Sequence, residues 1–196
     1  MGKRELTREH ILKTAFDIAS VDGFDSLTIG QLAKASGMSK SGLFSHFNAK
    51  ENLQLAVLEY AGEQFVARVI QPARQATPES IEQKIRLLCQ YWLAWNNSFQ
   101  GSCMFLDAWK DKQETHDVIQ QGLIGLTRRW LDYLQRQIEK AIVRGEFSPD
   151  LDSWQCVYRL YGVYLSSHLF RSLDLECGEH RRFWLGIDEL LASWRK

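Results

Sequence analysis

Apolar residues recur along this chain at three- and four-residue steps, the spacing that gathers them on one face of an α-helix. No apolar–polar alternation marks a strand, and no internal repeat or low-complexity segment interrupts the pattern. From about Thr7 to Val21, Ile11, Ala15 and Ile18 share a face, with Leu12, Phe16 and Ala19 beside them. Residues 28–51 are cut into short pieces. A fourth helix is predicted from Asn48 to about Val69, stopping near Pro72 and carrying Leu53, Val57, Tyr60 and Phe65. At ~1.5 Å per residue it would span ~30 Å, long enough to join two domains as a lever. Thr77-Pro78 reads as a cap followed by proline at the first helical position, so a fifth helix starts there. It carries Ile81, Ile85, Leu88, Trp92 and Trp95 and breaks at Gln100-Gly101. A shorter helix is expected from about Cys103 to Lys112, and a long one from about His116 to Arg144, ending at Gly145. Asp152 or Ser153 opens an eighth, with Trp154, Val157, Tyr158, Tyr161, Leu165 and His168 at helical spacing. The ninth runs from Glu179 to Trp194.

Residues 28–51 carry the most information. Thr28 followed by Gln31 is a capping-box pattern, in which a side-chain oxygen covers a free N–H and the later side chain reaches back. Gly37 ends that short helix, because the chain must pass through a left-handed conformation that suits glycine. Ala33 is small where two helices would cross. Ser39 caps the next helix, with Leu43 and Phe47 facing inward and Lys40, Ser41, Phe44 and His46 outward. Asn48 and Glu51 read as a third cap, opening the long helix. Two short helices joined by a tight turn form a helix-turn-helix.

A plain helical hairpin packing its own core would show similar caps. The outward set argues against it: no acid lies between Asp25 and Glu51, and an acid-free surface suits a polyanion. Net charge over the whole chain is zero, but residues 1–50 hold seven bases against five acids, a modest local excess. Such a protein relies on a localised surface, not a global positive field.

These residues closely resemble the N-terminal domain of TetR-type transcriptional regulators. The resemblance covers residues 7–60. It rests on Ile-Leu-Lys-Thr-Ala-Phe with its exit Asp22-Gly23-Phe24, on Thr-Ile-x-x-Leu-Ala-x-x-Ser-Gly-Met-Ser, and on Gly-Leu-Phe-Ser-His-Phe-x-x-Lys-Glu. It implies an all-α protein: an N-terminal three-helix helix-turn-helix DNA-binding domain, residues 1–52, joined by a long helix to a C-terminal helical ligand-binding and dimerisation domain, residues 53–196. By the resemblance, Thr28, Ser39, Phe44, His46 and Lys50 would hold the DNA backbone, and Lys40, Ser41 and Gly42 would approach base edges. The family often has Tyr where this chain has Phe44, so one hydroxyl contact to phosphate is lost. The function implied is a ligand-responsive regulator, a repressor that binds a palindromic double-stranded DNA operator as a homodimer and is released by a small effector.

The last two predicted helices are apolar over more than one face, and Gly162, Ser166 and Ser167 permit close approach. Tyr158, Leu165, Phe183, Ile187, Leu191 and Trp194 are therefore candidates for a two-fold interface; the alternative is that they close the protomer's own core. All seven tryptophans lie beyond residue 90. Trp92, Trp95, Cys103, Trp109, Trp130 and Tyr161 are candidate walls of an aromatic-lined effector pocket suited to an apolar or aromatic ligand. Ordinary packing is the alternative for each.

The cysteines, Cys89, Cys103, Cys156 and Cys177, have neither C-x-x-C nor finger spacing. Buried reduced thiols are expected, with Cys103 the candidate redox sensor because it follows Gly101-Ser102. His168 reads as a core histidine. Nucleophile elbows, phosphate loops, dinucleotide glycines and metal motifs are absent from the sequence, so neither cofactor nor metal is expected and catalysis is not. No apolar run approaches the ~20 residues of a membrane span, and the charged start lacks a signal core, so a cytoplasmic protein is expected. Two other classes stay open: a helical adaptor that keeps the helix-turn-helix but binds protein, and an all-helical enzyme acting on a small molecule.

Overall fold

A computed structural model describes residues 3–22, 27–97, 118–176 and 180–196. All regular elements among them are helical: α1 (Lys3–Asp22), α2 (Ile29–Ser36), α3 (Lys40–Phe47), α4 (Lys50–Phe65), a π-helical turn (Val66–Ile70), α5 (Gln71–Gln75), α6 (Ile81–Asn97), α7 (Val118–Val143), α8 (Ser153–Ser172) and α9 (Arg181–Trp194). The chain divides into two compact units, Met1–Arg68 with Ala94–Thr127, and Val69–Leu93 with Arg128–Lys196.

In the first unit, the predicted apolar face of α1 lines the core, with Ile18 only half-buried. Ile11, Leu12, Ala15, Phe16 and Ala19 are buried together with Leu32, Leu43, Phe47, Leu53, Val57 and Ala61 of α2, α3 and α4. Aromatic rings extend this core. Phe16 meets the Tyr60 ring edge-on at 5.8 Å between centroids and Trp95 at 5.9 Å, and Phe65 meets Trp95 at 5.6 Å. The Arg68 guanidinium stands 5.7 Å from the Trp95 ring centre. Farther along α4, Gly62 lets Leu126 of α7 come close, and Gly122 of α7 faces Leu58 and Leu55.

The predicted single helix from Asn48 to Val69 is replaced by three successive pieces. Lys50–Phe65 is α-helical, the ladder widens through the π turn, and α5 follows. Pro72 does not stop the rod; it falls in the first turn of α5, directly after the π turn. The expected start of the next helix at Thr77-Pro78 is also displaced. Thr77 has a positive φ of 46°, and Ser80 supplies the cap. Its hydroxyl accepts from Gln83 N–H at 3.0 Å while Gln83 Oε1 accepts from Glu79 N–H at 2.7 Å. Glu146, distant in sequence, accepts from the N–H groups of Ile81 and Glu82 at 2.7 and 3.1 Å. A carboxylate on orphan N–H groups at a helix start stabilises it twice, by hydrogen bonding and by the helix dipole.

The second unit is closed at its chain end. Ser148 N–H donates to Trp194 C=O at 2.8 Å, and Phe147 pairs with Arg195 in an isolated antiparallel bridge. The Phe147 and Trp194 rings, both fully buried, meet edge-on at 5.6 Å. Arg195 donates to Glu82 from Nε at 2.9 Å. Asp152 caps α8, accepting from Trp154 and Gln155 N–H at 2.9 and 3.0 Å, as its position in the sequence suggested.

The α8–α9 pair separates the expected dimer residues into two groups. Phe183, Ile187, Leu191 and Trp194 are at most 3% exposed within the single chain. They are core of their own unit. Tyr158 and Leu165 remain exposed on α8. His168 is half-buried on the same helix. The predicted helix from Cys103 to Lys112 lies outside the described residues.

Candidate nucleic-acid interface

The helix-turn-helix is built as its caps imply. Thr28 Oγ1 accepts from Gln31 N–H at 3.1 Å and opens α2. Gly37 closes α2 in the left-handed region, φ 67°, and its N–H donates to Ala33 C=O. Ser39 Oγ accepts from Gly42 N–H at 3.1 Å and opens α3. Leu43 and Phe47 are buried, and Ala33 is buried at the packed face of α2. The third cap differs. Asn48 does not open α4; it closes α3 in the left-handed region at φ 62°, its N–H donating to Phe44 C=O at 2.8 Å. Asparagine enters that region more readily than most residues, which is why the position reads as a stop. Ala49 precedes α4 without a side-chain cap, and Asn52 Nδ2 donates to Phe47 C=O at 2.9 Å.

Of the outward set, all but His46 are exposed. Thr28, Ser39, Lys40, Ser41 and Lys50 are exposed, Phe44 is 53% exposed, and His46 and Gly42 are half-buried. Ser39 and Ser41 hydroxyls lie 3.2 Å apart. Gly42 is constrained from within the motif as well: a β-carbon there would come within 3.1 Å of Ser39 Oγ, the capping oxygen. Lys40 rests against α2, its Nζ 3.8 Å from where a β-carbon on Gly30 would lie. Lys50 is the first residue of α4. One basic residue escaped the sequence reading. Arg8, exposed on α1, holds its guanidinium 5.8 Å from the Phe47 ring centre, at the C-terminal end of α3. A lone arginine on a periodic helix gives no signal of this in the sequence.

The candidate pocket residues do not form one group. Trp92, Trp130 and Tyr161 meet in the second unit, with ring centroids 5.4 Å apart for both Trp92 pairs. Tyr164, not singled out in the sequence, stacks on Trp92 at 3.8 Å and completes the cluster. Its three-residue step from Tyr161 on α8 was the available signal. Trp95 belongs to the first unit, packed on Phe16 and Phe65. Cys103 and Trp109 lie outside the described residues. Cys89 is fully buried, and burial pushes its thiol up to about 12; burial also raises Cys156. Among the described residues no cluster of His, Cys, Asp or Glu could hold a metal ion, and no helix is long and apolar enough to cross a membrane.

Comparison with known proteins agrees with this geometry. Residues 11–57 match the family of bacterial regulatory proteins called tetR, and residues 82–184 match the tetracyclin repressor-like C-terminal domain. The transcriptional regulator AcrR of Shigella flexneri is 38% identical over 47 residues, 24% of this chain and 22% of that protein. The transcriptional regulator SrpR of Pseudomonas putida is 24% identical over 162 residues, 77% of this chain and 68% of that protein. In the first two curated relatives the matched stretch is only 18% and 22% of their length. A TetR-family transcriptional regulator from Cytophaga hutchinsonii has the same fold, with a TM-score of 0.80 at 19% identity over 100% of this chain and 98% of that one. With an N-terminal match on the capped α2–α3 motif and a C-terminal match over more than half its length, the chain belongs to the TetR family.

Proposed function

We propose that this protein is a ligand-responsive repressor of transcription, acting in the cytoplasm as a homodimer on a palindromic operator. The observation that carries the reading is the division of α3 into two faces. Leu43 and Phe47 anchor it in the core, while Lys40, Ser41 and Phe44 stand exposed on a segment with no acid between Asp25 and Glu51. Residues 1–52 serve as the DNA-binding head, and residues 53–196 carry effector binding and dimerisation. Each protomer lays α3 in the major groove. Thr28, Ser39, Phe44, His46 and Lys50 hold the backbone, and Lys40, Ser41 and Gly42 belong to the turn that faces base edges. Exposed Tyr158 and Leu165 serve the dimer contact. An apolar or aromatic effector engages the cluster of Trp92, Trp130 and Tyr161, and shifts α4 so that the two heads no longer match the operator spacing. Each tenfold loss of operator affinity requires about 1.4 kcal/mol of preference by the effector for the non-binding state.

Selection of bound fragments from genomic DNA tests the proposal. Recovery of a shared, two-fold symmetric sequence whose binding falls steeply with salt supports it. Enrichment of no sequence, or binding indifferent to salt, contradicts it.

A further inference from the structure

The Lys40 side chain lies alongside residue 30, a glycine, in a lane that a side chain larger than a methyl would enter. Gly30 sits in the first turn of α2, where glycine weakens a helix relative to alanine. Its backbone φ is not in the left-handed region, so conformational freedom does not explain it. What a small residue here leaves is space for the lysine beside it. The position of a β-carbon on Gly30 would be 3.7 Å from Lys40 Cε, 3.8 Å from Lys40 Nζ and 4.0 Å from Thr28 Oγ1. The Lys40 ammonium of α3 and the hydroxyl of Thr28, which caps α2, thus both lie within 4.0 Å of that one point. Thr28 Oγ1 already accepts from Gln31 N–H, which leaves its own proton to donate. A cation with several donors beside a hydroxyl donor suits an anionic oxygen of a phosphate group better than the mixed donor–acceptor edge of a base pair.

We propose that position 30 is a specificity-determining position in DNA recognition: a residue no larger than alanine leaves the lane open and directs Lys40 back beside Thr28 to a backbone phosphate and away from the base edges. This rests on the reading of the protein as an operator binder, and it refines the role of Lys40 within that reading. The sequence of the bound site is then read by the α3 turn around Ser41 and Gly42, with Lys40 supplying a contact blind to sequence.

The test uses the full-length protein, a duplex recovered by selection from a random-sequence pool, and a mixed-sequence duplex as control. Lys40→Ala should weaken both about equally, by about tenfold near 0.1 M salt, and reduce the salt slope by about one. Gly30→Ala should bind like the parent, since its β-carbon makes only ordinary contact with the lysine. Gly30→Val places two γ-carbons in the lane and should displace the ammonium. It should lower affinity for both duplexes, change the sequence recovered on reselection, and have no further effect once Lys40 is alanine. Melting curves of each variant show that the fold is kept. If Lys40→Ala changes the preferred sequence without changing the salt slope, or if Gly30→Val and Lys40→Ala act additively, the inference is overturned while operator binding stands. If the parent protein selects no duplex at all, both the inference and the functional proposal fail.

Discussion

Leu126 of α7 seats its side chain against Gly62 of α4 so closely that a β-carbon on Gly62 would lie 2.5 Å from Leu126 Cδ2. The exchange runs both ways. A β-carbon on Gly122 of α7 would lie 3.2 Å from Leu58 Cδ1 and 3.5 Å from Leu55 Cδ2 of α4. Each helix thus presents a glycine to a leucine of the other. Real carbons do not approach at 2.5 Å, so Gly62→Ala must push Leu126 out of its place, at a cost of about 1–3 kcal/mol. Leu126→Ala removes the obstruction. In the double variant the penalties should fall well short of additive, as chemical denaturation of the four proteins would show. Additive effects would place the two residues out of contact.

Asn48 carries the second prediction. Its left-handed backbone, φ 62°, is the stop between α3 and α4. Asn48→Gly should leave stability near that of the parent, whereas Asn48→Ala should cost about 1 kcal/mol, because alanine's β-carbon crowds the neighbouring carbonyl without the local hydrogen bonding by which a short polar side chain offsets that crowding. Thermal melting distinguishes the two. If alanine matches glycine, the residue does not hold this conformation in solution.

Burial sets the behaviour of Cys89. Its thiol is fully buried and pushed up to about 12, so almost no thiolate exists near neutral pH. Alkylation followed by peptide mass spectrometry should find Cys89 unmodified in the native protein and modified in denaturant. Rapid labelling under native conditions would contradict its placement.

The Glu82–Arg195 pair gives a pH dependence. The hydrogen bond from Arg195 holds the Glu82 carboxyl below its usual range. A depressed folded value means that this contribution is present above the ordinary carboxylate pKa of about 4.3, and is lost as pH falls through the lower folded value. Glu82 is half-buried but its partner Arg195 is exposed, so the effect is discounted for screening. Glu82→Gln should lower the melting temperature by about 2 °C or less at neutral pH, with the difference closing as acid protonates the parent. A difference that stays constant with pH would assign the effect to lost packing.

The helix-turn-helix was legible because its signals are local. Thr28, Gly37 and Ser39 act on N–H and C=O groups within a few residues, and the inward pair Leu43 and Phe47 follows from helical spacing alone. Asn48 misled because one residue type serves both as an N-cap and as a left-handed stop, and only the neighbouring backbone decides between them. Long-range partners left no mark in the sequence. The Glu146 carboxylate covering the start of α6, the Leu126 side chain against Gly62, and Arg8 over Phe47 depend on which helices meet. The same limit applies to Phe183, Ile187, Leu191 and Trp194: periodicity reports that a stripe is buried, not whether its own chain or a partner covers it. Trp92 and Trp95 stand three residues apart on one helix, yet they pack into different units.

Footprinting on a selected operator tests the central claim most directly. The account predicts protection in two half-sites related by two-fold symmetry, centred one helical turn or a multiple apart. Protection should be lost in a variant carrying Ser41→Ala and Phe44→Ala whose melting curve matches the parent. Protection that persists unchanged in that variant, or that shows no sequence preference, would contradict the placement of α3 in the groove.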